Sequence, residues 1–445
     1  MDQTPKGMPP RGRAAAVPSS RIARVARFGT MASRMAASVA TKGAGQLARG
    51  QRPVLRDLVL TPGNVARFAD ELARMRGAAM KMGQLLSMDA GDVLPRELAD
   101  ILARLRADAD HMPPRQLRTV LDTEWGPGWL KRFAKFEATP MAAASIGQIH
   151  RARLPDGTEL AIKVQYPGVR RSIDSDVANV GTLIGLSGLM PPGVELAPFL
   201  AEAKRQLHDE ADYTREAAEL TRFADFFDGD PTVTLPRPVP EFCTRNVLAM
   251  TFVRGRPVEA MTGASQEERD HIATVLLDVL LRELFVFGAV QTDPNFANFR
   301  YDPESRRVVL LDFGAARDYA PERVAQYRAM VLAARSGDRR AMRRAANGVG
   351  FLAPETAEHH ASAVLDLIEM GSEPVRNPGP YDFGSSRLVA RLSGAGQALA
   401  FDQSFDVVPP MEVLYLQRKV VGMYLLANRL GARVDVGALL TRHLG

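Results

Sequence analysis

Gln291-Thr-Asp-Pro-Asn-Phe-Ala-Asn298 is followed, after a short interval, by Leu310-Leu-Asp-Phe-Gly314. Asp293 precedes Asn298 by five positions, and Asp312 comes at the end of an apolar run that begins at Val308. Carboxylate and amide oxygens are the hard ligands that Mg²⁺ prefers in proteins. Two carboxylates and an amide in this order therefore predict a site for the magnesium complex of a phosphorylated nucleotide.

The order and the spacing of these residues match the catalytic loop and the Asp-Phe-Gly motif of protein kinases. Asp-Phe-Gly alone would be weak evidence, because a strand that ends in a turn often has such a sequence. In the complete set, we expect Asn298 and Asp312 to bind magnesium and Asp293 to orient or deprotonate the phosphoryl acceptor. Phosphoryl transfer depends mainly on positioning and charge neutralisation, which these residue types supply.

The other parts of a kinase site occur upstream in the expected order. The segment 160–165 is a predicted buried strand, and its Lys163 matches the lysine that contacts the α- and β-phosphates. A helix is predicted from Glu202 to Thr221, and its Glu216 would hold the lysine in place. Taken singly, Lys163 could be a surface lysine and Glu216 a solvated helix charge. Their occurrence in kinase order favours the nucleotide site.

Two further segments are predicted to contact the nucleotide. The first lies where a kinase has its glycine-rich loop, and its candidate residues are Ala142, Ala143, Ala144, Ser145 and Gly147. This loop has less glycine than usual, so we expect it to be stiffer. The second segment is a predicted strand that ends at Val253. Met250 would be its gatekeeper-like residue, and backbone groups from Thr251 to Val253 would meet adenine.

Residues 64–88 are predicted to form a distinctive amphipathic helix. Val65, Phe68 and Leu72 begin an apolar stripe with helical spacing. Lys81 and Gln84 lie off that stripe, and Gly83 permits a close backbone approach at the same level. From the residues alone, a solvated lysine and glutamine are the alternative to a role at the site.

The chain resembles the UbiB/ADCK group of atypical kinases, which is associated with ubiquinone (coenzyme Q) biosynthesis. The resemblance extends from about Arg21 to the C-terminus. Four motifs carry it: the KxGQ motif Lys81-Met-Gly-Gln84, the alanine-rich loop 142–148, the ExD motif Glu210-Ala-Asp212, and the catalytic loop 291–298. Many members have His-Pro-Gly where this chain has Asn295-Phe-Ala, a difference that retains Asp293 and Asn298.

The resemblance implies ATP and Mg²⁺ as cofactors and places the KxGQ helix over the active cleft. Lys81 would then pair with Glu210 or Asp212, and Gly83 and Gln84 would share this regulatory role. Because this helix would limit access for a protein substrate, ATP hydrolysis or small-molecule phosphorylation is the leading function, with quinone precursors and quinone-biosynthesis proteins as partners. A protein kinase and a nucleotide-binding pseudokinase scaffold are the alternatives.

Composition is that of an ordinary globular protein. Of 445 residues, 46% are hydrophobic and 24% are charged, which excludes a largely disordered chain. Cys243 is the single cysteine, so an intramolecular disulfide is excluded and a reducing compartment is predicted. With one cysteine and seven histidines, no group of residues has zinc-ligand spacing.

The N-terminal 52 residues carry ten lysines and arginines against one acid, Asp2. From Ser20 the apolar residues recur at helical spacing between arginines, which predicts a basic amphipathic helix and an anionic membrane surface as its partner. A helix docked on the kinase body, an organelle-targeting segment and a nucleic-acid-binding tail are alternatives, of which nucleic acid is the least favoured. The apolar stretch 28–47 is interrupted by Arg34 and Lys42, so no transmembrane helix is predicted. We expect a cytoplasmic protein, peripheral at the inner face of the membrane.

The complete prediction is an α+β, two-lobed protein-kinase-like fold with an N-terminal helical extension. Its expected domains are a basic tail, the KxGQ extension, an N-lobe and a C-lobe, over residues 1–52, 53–130, 131–255 and 256–445. The N-lobe sheet is predicted over 133–165 and 232–254.

Overall fold

The computed structural model describes residues 111–144, 146–187, 196–400, 402, 404, 405 and 407–444. The predicted basic tail, the KxGQ motif with Lys81, Gly83 and Gln84, and Ser145 of the loop lie outside these residues. The chain divides into two compact units. The first runs to Ala218 and includes 237–252, and the second comprises 219–236 and 253–445.

The regular elements of the described residues are the following. The helices are α1 (Pro114–Trp125), α2 (Val169–Ser187), α3 (Leu196–Glu210), α4 (Tyr213–Phe226), α5 (Gln266–Arg282), α6 (Pro321–Ser336), α7 (Arg339–Val349), α8 (Glu358–Gly371), α9 (Glu373–Arg376), α10 (Leu388–Ala400), α11 (Met411–Leu430) and α12 (Val436–Leu444). The strands are β1 (Lys135–Phe136), β2 (Ala142–Ala143), β3 (Gly147–Arg153), β4 (Glu159–Gln165), β5 (Val233–Thr234), β6 (Val247–Thr251), β7 (Arg256–Pro257), β8 (Ala289–Gln291), β9 (Phe299–Asp302), β10 (Arg307–Leu310), β11 (Ala316–Asp318), β12 (Tyr381–Asp382) and β13 (Arg433–Val434). None of these helices has both the length and the apolar character needed to cross a membrane.

The first unit is built around an antiparallel sheet in the order β1-β3-β4-β6, in which β2 also pairs with β3. The β3–β4 hairpin turns at Asp156 and Gly157, a pair of residues that is common in such turns. Gly157 has φ +93°, a conformation that favours glycine, and the Asp156 carboxylate accepts the Thr158 N–H at 2.9 Å. This turn sets the register of β4, which carries Lys163.

An aromatic cluster forms part of the core of the first unit. Trp125 at the end of α1 lies 5.4 Å from Trp129 and 5.7 Å from Phe242, both in edge-on contact. Its Nε1 also donates to the Phe242 carbonyl at 3.0 Å. Aromatic rings bury a large apolar area, so these contacts secure α1 to the segment that precedes β6.

The helix predicted over residues 202–221 is wrong as a single element. The structure has two helices, because α3 ends at Glu210 and α4 begins at Tyr213. Between them, Asp212 Oδ1 accepts the N–H groups of Thr214 at 3.2 Å and Arg215 at 3.3 Å. An aspartate that caps the first turn of a helix in this way starts a new helix rather than continuing the previous one.

The second unit contains a sheet in the order β5-β10-β9-β7 and the β8–β11 pair. The prediction that the N-lobe sheet resumes at Thr232 is therefore wrong at its start, because Val233 and Thr234 pair in parallel with β10. Helices α6, α7 and α8 enclose a core cluster in which Ala334, Met342 and Leu365 are buried.

Helix α5 leads into the candidate site of the second unit. It begins with a capping box, in which Ser265 and Glu268 each bond the other's backbone N–H. It passes into a single π-helical turn from Glu283 to Phe287 and ends at Gly288, whose φ of +62° reverses the chain into β8. This turn buries Glu283 beside the first residues of the predicted catalytic loop.

Candidate nucleotide site

Lys163 and Glu216 form a buried ion pair in the first unit. Lys163 Nζ lies 2.6 Å from Glu216 Oε1, and the two residues are 4% and 2% exposed. Strand pairing places Lys163 opposite Ile149 on β3 and Leu248 on β6, so its position is set from both sides. Burial of two charges is costly and is tolerated only with close geometry of this kind.

The alanine-rich loop is a tight hairpin next to this lysine strand. Ala142 and Ala143 pair with β3, and the Ala144 N–H donates to the Gly147 carbonyl at 2.9 Å. A Cβ added to Gly147 would lie only 2.4 Å from the carbonyl oxygen of Val164. Glycine is required here because the hairpin packs directly on the β4 backbone.

A buried polar chain supports the strand that follows the loop, and the sequence analysis missed it. Gln148 Oε1 accepts the Met112 N–H at 2.7 Å, and its Nε2 lies 2.8 Å from His150 Nε2. With Gln148 donating, His150 is neutral, and its Nδ1–H donates to the Glu137 carbonyl at 2.8 Å. Burial lowers the pKa of His150 to about 4; the Glu137 carbonyl opposes this shift and nearby His111 adds to it.

The segment predicted to meet adenine lies at the end of β6. Met250 is buried in that strand. The N–H of Thr251 is bonded within the first unit, and the N–H of Phe252 donates to the Glu159 carbonyl at 2.8 Å. The Val253 N–H and the Thr251 carbonyl therefore remain the predicted contacts with adenine.

In the second unit, the predicted catalytic loop is held by hydrogen bonds, some of them to the carboxylate of its own Asp293. Thr292 donates to the Ala315 carbonyl through both its N–H, at 3.2 Å, and its Oγ1, at 2.8 Å. Asp293 Oδ1 accepts the Asn295 N–H at 3.2 Å, and Asp293 Oδ2 lies 3.4 Å from Asn298 Nδ2. The five-residue spacing seen in the sequence thus brings the carboxylate and the amide together.

Backbone pairing joins this loop to the Asp-Phe-Gly segment. The Leu311 N–H donates to the Asn298 carbonyl at 3.0 Å, one residue before Asp312. Asp312 Oδ1 accepts the Gly314 N–H at 2.9 Å, and Phe313 is buried. The three side chains predicted to work on the phosphates therefore belong to one hydrogen-bonded assembly.

The donor set of this assembly fits magnesium. Asp312 offers carboxylate oxygens, and Asn298 has its Nδ2 toward Asp293, which leaves its Oδ1 for a metal. Mg²⁺ favours such hard oxygen ligands, one or two from the protein and the rest from phosphates and water.

The residues predicted to regulate the site divide between the described and the undescribed parts of the chain. Glu210 is the last residue of α3, and Asp212 precedes α4. Besides its capping bonds, Asp212 has Oδ2 at 3.3 Å from Arg245 Nη2. Lys81 lies outside the described residues, so its pairing with Glu210 or Asp212 stays a prediction.

Sequence analysis also missed Lys419 on α11. This residue is 2% exposed, and its Nζ lies 2.9 Å from the Oε1 of Gln291, the first residue of the predicted catalytic loop. The sequence did carry a signal for a buried lysine, because Lys419 follows Leu416 by three positions and precedes Met423 by four. A lysine on the apolar stripe of a helix is expected to have a buried partner.

Comparison with known proteins identifies the family to which the chain belongs. The profile described as the ABC1 atypical kinase-like domain matches residues 104–346, more than half of the sequence. The chain belongs to the ABC1 family of atypical kinases. Its ABC1-family relatives include the atypical kinase COQ8, mitochondrial, of Saccharomyces cerevisiae, which is 37% identical over 96% of this chain and 85% of the relative. The atypical kinase COQ8B, mitochondrial, of Rattus norvegicus is 38% identical over 95% and 80%.

A solved structure agrees with the ABC1 assignment at the level of the fold. A Mycobacterium tuberculosis protein, solved in complex with erythromycin, matches with a TM-score of 0.60 and 23% identity, over 92% of this chain and 98% of that one. The predicted atypical-kinase family and the α+β kinase-like fold are confirmed. Of the predicted N-terminal extension, residues 53–110 lie outside the described residues, and the described part contains α1.

Proposed function

We propose that this ABC1 kinase binds ATP with Mg²⁺ and transfers or hydrolyses its γ-phosphate in support of ubiquinone biosynthesis. The observation that carries the proposal is the buried Lys163–Glu216 pair at 2.6 Å. Well-packed apolar residues would often serve stability as well as a buried ion pair does. A lysine held in this way on the central strand of a sheet is what contact with phosphates requires.

The role of each residue follows from its chemistry. Lys163 would contact the α- and β-phosphates while Glu216 holds its ammonium group in place. Asn298 and Asp312 would hold Mg²⁺, which neutralises phosphate charge when bound. Asp293 would orient or deprotonate the acceptor.

Two backbone regions would complete nucleotide binding. The hairpin from Ala142 to Gly147, including Ser145, would cover the phosphates. Met250 would lie beside the base, and the Thr251 carbonyl and Val253 N–H would bond its edge. The tightness of the hairpin, with Gly147 against the β4 backbone, supports a rigid cover rather than a flexible one.

For the acceptor, water or a small molecule is proposed ahead of a protein. The resemblance of the KxGQ extension to that of the ubiquinone-associated group supports this choice, with Lys81, Gly83 and Gln84 limiting access. Quinone precursors and quinone-biosynthesis proteins are the proposed partners. The basic residues 1–52 would bring the protein to an anionic membrane surface, and the domain boundaries at 52, 130 and 255 stay part of this proposal.

The proposal is tested by turnover of ATP with the purified full chain, Mg²⁺ and phosphatidylglycerol-containing vesicles. Asp293→Asn should reduce kcat strongly while Mg-ATP still binds, because the metal ligands are kept. Asp302→Asn is the matched control, since Asp302 supports the turn after β9 through Ser305 and Glu304. Binding without turnover in the parent would indicate the scaffold, and transfer of labelled phosphate to protein would indicate the protein kinase. Unchanged kcat in Asp293→Asn would contradict the assignment.

A further inference from the structure

Helix α11 contacts the start of the predicted catalytic loop through its charged residues. Lys419 Nζ donates to Gln291 Oε1 at 2.9 Å, and Arg418 Nη2 donates to the Thr292 carbonyl at 3.3 Å. These bonds join residues that are about 130 positions apart in sequence. Both bonds end within two residues of Asp293.

A glycine on the same helix lies against the residue after Asp293. A Cβ added to Gly422 would be 2.3 Å from Cβ of Pro294. The proline ring cannot rotate away as a flexible side chain would, so α11 and the loop fit closely at this point. The helix thus contacts the loop on both sides of Asp293.

Lys419 is also part of a buried charge pair. Its Nζ is 4.0 Å from Glu283 Oε2 in the π-helical turn and 5.1 Å from the ring centre of Phe299. The backbone N–H of Gln291 lowers the pKa of the same Glu283 carboxylate. The Gln291 side chain is therefore bonded to Lys419, while its backbone affects the charge of Glu283.

The electrostatics of the pair extend to Asp293. Burial lowers the pKa of Lys419, while the carboxylates of Glu283 and, to a smaller extent, Asp293 raise it. Burial raises the pKa of Glu283 to about 7, against the opposing effect of Lys419.

We propose that Lys419 is a positioning residue, which holds the segment from Gln291 to Pro294 so that Asp293 keeps its working geometry. This inference rests on the proposed function, in which Asp293 acts on the phosphoryl acceptor. A buried pair is seldom the most stable filling of a core, since apolar residues of similar volume often serve as well. Because the pair lies next to the catalytic loop, the charge of Lys419 can hold that loop in position, which is a role separate from stability.

Kinetics of Lys419→Met, with ATP turnover as the readout, test the proposal. We expect kcat to fall by about tenfold or more while KM for ATP changes by less than about threefold, because a small displacement of a positioned group affects chemistry more than ground-state binding. Since loss of one partner leaves Glu283 buried and uncompensated, the single variant will also be less stable. Rates are therefore expressed per folded molecule, measured by circular dichroism.

A double variant separates positioning from stability. Lys419→Met with Glu283→Gln removes both buried charges, so the melting temperature should return toward that of the parent. If Lys419 positions the loop, kcat stays low in the double variant. Recovery of kcat together with the melting temperature would overturn the proposal, because Lys419 would then be only the structural partner of Glu283.

Gly422→Ala tests the same contact without a change of charge. The added methyl group must displace Pro294, so kcat should fall here too with KM for ATP retained. Gly394→Ala in α10 is the matched control and should turn over like the parent, because a Cβ there would meet no other part of the described residues within 4 Å beyond its own helix backbone and chain neighbours.

Asp293→Asn is measured in parallel to separate the two proposals. If Asp293→Asn turns over normally, the proposed function fails and the positioning proposal fails with it. If Asp293→Asn is inactive while the Lys419→Met/Glu283→Gln and Gly422→Ala variants have parental kcat, the positioning proposal alone is overturned.

Discussion

Gly147 shows at the scale of one residue how closely the phosphate-covering hairpin is built. An added Cβ would lie 2.4 Å from the Val164 carbonyl oxygen, a backbone atom that cannot move independently of β4. We predict that Gly147→Ala lowers the free energy of unfolding by about 1–3 kcal/mol through overpacking. It should also weaken Mg-ATP binding, because the hairpin must shift away from Lys163.

Gly263→Ala is a suitable control for this prediction, since a Cβ at Gly263 would meet nothing in the described part of the chain within 4 Å beyond its local backbone and chain neighbours. Urea denaturation and nucleotide titration of both variants provide the measurement. If Gly147→Ala keeps parental stability and affinity, the hairpin does not pack on β4 as described.

His150 gives a pH-dependent prediction. Burial lowers its pKa from about 6.5 to about 4, so the unfolded chain takes up a proton in this range while the folded protein does not. Stability should therefore fall as the pH decreases from about 6.5 to about 4, by roughly 3 kcal/mol from this residue. Denaturation at a series of pH values should show a smaller acid-dependent loss in His150→Gln. An equal loss in parent and variant would show that His150 does not titrate as described.

At the scale of elements, the break between α3 and α4 gives Asp212 a role beyond the predicted pairing with Lys81. Asp212 caps the helix whose first turn carries Glu216, so the cap also sets the position of that glutamate. We predict that Asp212→Ala costs about 1 kcal/mol of stability and also weakens Mg-ATP binding, because Glu216 holds Lys163 less firmly.

The control for this prediction is Asp338→Ala. Asp338 caps α7 with bonds to the Arg340 and Ala341 N–H groups at 2.9 and 3.0 Å, so the loss of capping is the same. It should lower stability by a similar amount and leave nucleotide affinity unchanged. Equal affinity losses in both variants would mean that the effect of Asp212 is general destabilisation.

The success of sequence analysis at this scale depended on the distance between partners. The Asp293–Asn298 contact could be predicted because it is local and its spacing is specific to one chemistry. The break at Asp212 could not be predicted, because the helical spacing of apolar residues continues through it. That spacing does not show which residue caps a helix. Lys419 was missed because its partner Gln291 is 128 positions away, and a single sequence does not state which faces meet.

At the scale of the whole molecule, the fold was predictable because several motifs occurred in one order. The Lys163–Glu216 pair spans 53 positions, and only the similarity to kinases connected these residues before the structure did. Strand β5 was misassigned because a short Val-Thr strand has no pattern that distinguishes one sheet from another. Its pairing with β10 depends on long-range packing contacts, which the local sequence does not show.

The basic N-terminal region gives a prediction for the whole chain. Arg21, Arg24, Arg27 and Arg34 should attract anionic lipid, each by about 1 kcal/mol near a charged surface. Co-sedimentation with phosphatidylglycerol vesicles should therefore decrease with added salt and with deletion of residues 1–52, and a DNA competitor tests for nucleic-acid binding. Equal binding to neutral and anionic vesicles would rule out the electrostatic mechanism.

The central proposal is that Asn298 and Asp312 hold the magnesium of a bound nucleotide. Calorimetric titration of the full chain with ATP, with and without Mg²⁺, tests it most directly. We expect magnesium-dependent binding that Asp312→Asn weakens by at least about tenfold, or about 1.4 kcal/mol, while Asp302→Asn binds like the parent. Parental, magnesium-dependent affinity in Asp312→Asn would contradict it, because the proposed metal ligand would then hold no metal.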